Sequence, residues 1–197
     1  MTVKSLTRSS LVNNRWYENM LVGNAAYIPV LPPYEWLETQ ILPSNQSTVT
    51  FSNLNSIYGG SYKHLQLRVS GRSSRGGFNS DPLILQFNSD TTSGNYRYHQ
   101  LAGSNSTIGS STNPYITFAG TTLFGVAVID ILDAFSTSKN KTVRSLSGHN
   151  DGSDRTIELA SMGWFNTAAI NTIDIKSFTG NSWLTDSRFS LYGIRSS

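Results

Sequence analysis

From Trp36 onward apolar side chains recur at every second position. KHLQLRVSG puts Leu65, Leu67 and Val69 on one face and Gln66, Arg68 and Ser70 on the other, the alternation of a strand with one buried face. The same period runs through WLETQIL, STVTF, DPLILQFN, NYRYHQLAG, TLFGVAVIDIL, KTVRSLSG, RTIELASMGW, INTIDIKSF and SRFSLYGI. Turn clusters such as GRSSRGGFNSD, NSDTTSGN, STSKN and GHNDGSD separate them. The pattern predicts roughly eight to ten strands. The gaps are too short for crossover helices, so the expected fold is all-β, an antiparallel β-sandwich of jelly-roll kind over residues 36–197. Its core is expected to include Leu65, Leu67, Val69, Val126, Val128, Phe189 and Leu191.

Residues 1–35 do not share this period. Leu11 to Leu21 can form a short helix with Leu11, Trp16, Met20 and Leu21 roughly on one side, ended by Gly23-Asn24. Pro29, Pro32 and Pro33 then force an extended path. A short helix and a proline-punctuated strap cannot bury Trp16, Tyr17, Met20, Leu21 and Tyr27 by themselves. The segment is therefore expected to be an arm that lies against something else.

FGVAVIDILDAFSTSKNKTVRSLSG is apolar on both parities before it reaches Asp130 and Asp133, so its strand is expected to be central and covered on both faces. The two aspartates differ in parity, which points their side chains to opposite faces and suits a catalytic pair poorly. Asp133 opens a turn, where a carboxylate commonly accepts backbone amides, with Lys139 and Lys141 close enough for ion pairs. A structural role is favoured over a metal ligand or a catalytic group.

Composition narrows the function classes. The charged fraction is 14%, against the usual quarter, with Ser, Thr, Asn and Gly filling the polar positions, as in a turn-rich all-β protein. The net charge of +3 is spread singly, with no Lys/Arg run to follow a phosphate backbone, so no nucleic-acid partner is expected. Cysteine is absent, which removes disulfides, thiolate nucleophiles and thiolate zinc sites, and fits assembly in a reducing cytoplasm. Sequons at Asn45, Asn105 and Asn140 are what a chain rich in Asn, Ser and Thr produces by chance. Neither an export signal nor a membrane span is expected, since no sustained apolar stretch occurs.

Candidate chemistry is sparse. His64, His99 and His149 are far apart and none begins a metal-spaced pair. The loop GHNDGSD offers Asn150, Asp151 and Asp154 to calcium, but lacks the alternating oxygen ligands and distal Glu of an EF-hand loop. GRSSRGG could take an anion on its two arginines, though a solvated turn explains it as well. No nucleophile elbow, phosphate loop or dinucleotide fingerprint occurs, so no catalytic, cofactor-binding or metal-ligating residue is assigned. Among the aromatics, Trp164 and Trp183 flank the last strands, and Tyr96 and Tyr98, alternating with Arg97 and His99, are expected to point outward. Exposed rings beside amides and carboxylates can stack on sugars, so Trp164 and Trp183 are the candidates for glycan binding, with core packing the competing role.

Five ordered blocks, YKHLQLRVSGR, LILQFNSDTTSGNYRYHQLAGSNST, FGVAVIDILDAFSTSKNKTVRSLSG, GWFNTAAINTIDI and SRFSLYGI, together resemble a family of tailed-phage virion structural proteins frequent among marine and cyanobacterial phages. The resemblance spans about residues 37 to 195, and the opening LTRSSLVNNRWYENMLVGNAAY is similar to an N-terminal segment carried by some members. It implies a non-enzymatic protein displayed on the virion, on the head as capsid decoration or in a tail fibre, assembled in the host cytoplasm as a homo-oligomer. It implies no catalytic residues, and it supports a scaffold role for Asp130 and Asp133. In that setting Trp16, Tyr17, Met20, Leu21 and Tyr27 are the expected contacts to a neighbouring virion protein. A carbohydrate-binding module for host-surface glycan is the alternative, and a glycan hydrolase the third reading.

Overall fold

The computed structural model describes residues 32–103, 107–112, 115–150 and 155–195. The expected helix from Leu11 to Leu21, the arm contacts Trp16, Tyr17, Met20, Leu21 and Tyr27, and Asp151 and Asp154 of the GHNDGSD loop lie outside the described residues.

The first strand, β1 (Tyr34–Ile41), leads into β2 (Thr48–Phe51), the short helix α1 (Leu54–Tyr58), β3 (His64–Gly71) and β4 (Ser80–Phe87). Strands β5 (Tyr96–Ala102), β6 (Thr107–Ser111), β7 (Tyr115–Gly120) and β8 (Gly125–Leu132) follow. The chain closes with β9 (Lys141–Asn150), β10 (Arg155–Trp164), β11 (Ile173–Ser177) and β12 (Arg188–Ile194). The described strands form two sheets, an eight-stranded one in the order β1-β12-β3-β8-β9-β10-β5-β6 and a four-stranded one in the order β2-β11-β4-β7. Their ladders are antiparallel throughout, and the sheets pack face to face as an all-β sandwich.

The core lies between them. From the large sheet come Leu65, Leu67, Val69, Ile129, Ile131, Phe189 and Leu191; from the small one Val49, Phe51, Leu83, Leu85, Phe87, Ile173 and Ile175. These are alternate positions of their strands, as a sheet with one buried face requires. Two tryptophans fill the corners. Trp183 meets Phe189 edge-on with ring centroids 5.0 Å apart, and Trp164 leans on Phe87 at 5.4 Å. Gly71 ends β3 where only a hydrogen fits, since a Cβ there would lie 2.8 Å from the Trp183 ring.

Two expectations about β8 need correction. Val126 and Val128 are not core residues: they are 56% and 41% exposed, while Gly125, Ala127, Ile129 and Ile131 of the other parity are buried. The strand is central in its sheet but covered on one face only. Its apolar character on both parities gave alternation no means of choosing a side, and the small sheet covers the face where Gly125 and Ala127 keep the backbone accessible to close packing.

Candidate functional site

The face of the large sheet turned away from the small sheet is the outer face, and its middle is apolar. Cross-strand register lines up Val128 of β8, Leu146 of β9, Leu159 of β10 and Leu101 of β5 in one row. The next row holds Val126, Gly148 and Ile157, and continues to Gly103, whose N–H donates to the Ile157 carbonyl at 2.8 Å. The six aliphatic side chains of these rows are all exposed, Ile157 at 70% and Leu146 at 57%. A hollow of about 480 Å³ opens where Gly148 carries no side chain, walled by Val126, Val128, Leu146 and Ile157, with Arg68 at its border. Strand pairing satisfies the backbone beneath, so the surface is dry aliphatic with no polar claim on water. Together these side chains expose on the order of 500 Å², at the upper end of what a monomeric surface leaves uncovered.

A polar row borders the patch and answers what Asp130 does. Asp130 of β8 sits between Gln66 of β3 and Arg144 of β9. Arg144 donates to its Oδ2 at 2.8 Å and Gln66 Nε2 to its Oδ1 at 2.8 Å. Beyond Gln66 the Arg68 guanidinium lies over the Tyr192 ring at 4.8 Å and the Tyr34 ring at 5.4 Å, and the two rings stack at 4.9 Å. Asp133 lies past the end of β8 in a left-handed turn, φ 50°. Its carboxylate takes the Lys139 ammonium at 3.0 Å, and that hydrogen bond holds it below its ordinary range. The Asp133 N–H donates to His64 Nδ1 at 2.8 Å. Lys141 takes no part: its buried ammonium donates to the carbonyls of Ser136, Lys139 and Thr167. The two carboxylates have separate partners and each tethers strands or a turn.

Trp164 and Trp183, the sequence candidates for glycan stacking, are core residues at 0% and 1% exposure. Their indole N–H groups are engaged as well, Trp164 donating to Asp90 Oδ2 at 2.8 Å and Trp183 to the Ile175 carbonyl at 3.2 Å. Neither ring is available to a sugar. Tyr96 and Tyr98 are buried as well and do not point outward; the exposed positions of β5 are Arg97 and His99, which alternate with them. In the GRSSRGG loop Arg72 reaches the Thr122 carbonyl at 3.5 Å and Arg75 the Ser80 carbonyl at 3.0 Å. Beneath the loop lies the buried Asp81 carboxylate, which accepts from the hydroxyls of Ser73, Ser177 and Thr179. Each arginine contacts a backbone carbonyl and Asp81 collects hydroxyls, the pattern of a structural loop.

Two acids, Glu158 buried and Asp90 half-buried, escape a sequence reading. Glu158 of β10 points inward, accepts from the Tyr98 hydroxyl at 2.6 Å, and is pushed above its ordinary range by burial, against the opposing pull of Tyr98, Ser147 and His149. Asp90 accepts from Trp164, from Asn95 Nδ2 at 2.8 Å and from the Thr92 N–H at 2.9 Å. Among the described residues no three His, Asp or Glu side chains are placed to hold a metal ion, and no helix is long and apolar enough to cross a membrane.

Comparison with protein-family models, with curated proteins and with solved structures finds no match for this chain. Fold and surface together define an all-β sandwich whose larger sheet presents an apolar outer face.

Proposed function

We propose that the chain is a non-enzymatic structural protein of a phage particle, displayed as capsid decoration or in a tail fibre, with the residues before β1 anchoring it to a neighbouring virion protein. The observation that carries this is the uncovered aliphatic face across β8, β9, β10 and β5. A free monomer gains nothing from leaving such a face in water, whereas a protein packed among copies and neighbours has it covered. The five sequence blocks that resemble phage virion proteins support the same reading, as do the partners found for Asp130 and Asp133, which are those of scaffold residues. The carbohydrate-binding alternative rested on Trp164 and Trp183, and their burial removes the rings that carried it.

The test is incorporation into particles. Deletion of residues 1–35 removes Tyr34 and Glu35 of β1, so the cut is better made before Pro32. The shortened chain is expected to melt cooperatively and to be missing from purified particles, with Trp16→Ala plus Tyr17→Ala weakening incorporation in the same direction. Full occupancy of the shortened chain would place attachment on the sandwich and refute the anchoring role.

A further inference from the structure

The outer face is complementary to itself. Consider a two-fold axis parallel to the strands, lying above the sheet between β9 and β10. It sets β9 over the partner's β10 and β8 over the partner's β5, because these strands flank the axis symmetrically in the order β8-β9-β10-β5. Each cross-strand row then faces its own reverse.

The consequences follow row by row. Val128, Leu146, Leu159 and Leu101 meet the same four residues in opposite order, aliphatic on aliphatic at each position. The neighbouring row alternates large and small, Val126, Gly148, Ile157, Gly103, so its reverse sets Ile157 over the Gly148 hollow and Val126 over Gly103. In the polar row Asp130, Arg144, Ser161 and His99, the reversal brings the carboxylate of Asp130 opposite the imidazole of His99 and the guanidinium of Arg144 opposite the hydroxyl of Ser161. No row sets like charge against like, or bulk against bulk where a glycine leaves room.

We infer that two copies of this chain pair through the outer faces of their large sheets, about that axis, with Ile157 of each copy seated in the Gly148 hollow of the other. This is the isologous contact a two-fold demands, in which residue i meets j and j meets i. Sheets pack face to face about 10 Å apart with strands near 30° to each other, so the axis tilts roughly 15° from the strand direction and the rows oppose one another most closely at β9 and β10, next to the axis. A patch four strands wide and three rows tall measures roughly 19 Å by 20 Å at sheet spacing, about 400 Å² in projection and somewhat more with side-chain relief, so each copy offers an area at the small end of specific interfaces. The pairing rests on the face alone and holds whether or not the chain is built into a particle.

Sedimentation of the purified full chain tests it separately from any particle assay. Wild type is expected to be a dimer at about 100 μM, a concentration that populates even an interface at the small end of the specific range. Gly148→Ile fills the hollow at both symmetry-related contacts and is expected to weaken the dimer by at least about 100-fold. Its new Cβ meets only the Thr156 carbonyl, at 3.3 Å, a tight contact that requires the cross-strand backbone to give by a few tenths of an ångström. Adding Ile157→Ala exchanges knob and hole and should recover the dimer to within about tenfold of wild type. If Gly148→Ile fails to fold by circular dichroism, Leu159→Lys on the same exposed row replaces it, with a monomer expected. A monomeric wild type, an oligomer indifferent to Gly148→Ile or Leu159→Lys, or a double variant no tighter than Gly148→Ile would overturn the inference.

Discussion

Adjacent residues of β8 should respond oppositely to the same substitution. Ile129 is fully buried between the sheets and Val128 stands on the outer face at 41% exposure. Ile129→Asp removes a buried aliphatic side chain, about 2 to 3 kcal/mol of burial, and puts in its place a carboxylate with no partner, which adds several more. The sum rivals the entire stability of a domain, about 5 to 15 kcal/mol. Val128→Asp forfeits only about 1 kcal/mol of partial burial and up to about 1 kcal/mol of strand preference. Its cross-strand neighbour is Arg68, so the new charge gains an opposite partner, worth a few tenths to about 1 kcal/mol. The net loss should be about 1 kcal/mol, a fall in Tm of about 2 to 4 °C for a chain of this size. Thermal melts followed by circular dichroism decide it: Ile129→Asp should give no cooperative transition, and Val128→Asp a native one slightly lowered. Equal collapse of both variants would mean that the outer face is covered within the chain itself, and the parity assignment would fall with it.

Acid should loosen the corner around Trp164. Burial raises the Asp90 carboxyl, but the bonds from Trp164, Asn95 and Thr92 prevail and bring it from its ordinary 3.8 down to about 2. A depressed folded-state value contributes stability that is present above about pH 4 and disappears as pH falls through about 2, some 1 to 2 kcal/mol for a part-exposed group. Urea melts of wild type and Asp90→Asn should therefore differ at pH 6 and converge near pH 2; a difference independent of pH would refute the assignment. Asp133→Asn should lower stability by about 1 kcal/mol or less, because the exposed Lys139 pair is lost while the turn and its amide to His64 remain. A larger loss in the same melts would show the ion pair to be structural in its own right.

Much of the sandwich could be read from alternation, since β3 and β12 each carry one apolar parity and bury it. Alternation failed where it was ambiguous or inverted. In β8 both parities are apolar, and only the small sheet decides between them. In RTIELASMGW both parities carry apolar side chains, Ile157 and Leu159 on one and Ala160, Met162 and Trp164 on the other, and Glu158, Ala160, Met162 and Trp164 are the buried set. Trp164 fixes that parity through its seat on Phe87 and Asp90, and Tyr98 supplies the hydrogen bond that lets Glu158 follow it inside. Strands β6 and β7 were missed because Gly, Ser and the Asn113-Pro114 pair give TIGSS and YITFAG the look of a loop. Trp164 and Trp183 were placed correctly in sequence, beside the last strands, but nothing in one sequence distinguishes a tryptophan closing a core from one facing a ligand. The outer face needed three-dimensional register, because its residues come from strands spread between Leu101 and Leu159.

The proposed assembly role is tested most directly by a reconstruction of the phage particle to which the proposal assigns this chain. The expected result is the sandwich at defined, repeated positions, its aliphatic outer face covered and the residues before β1 inserted into a neighbouring protein. Particles of full infectivity that contain no copy of the chain would contradict it.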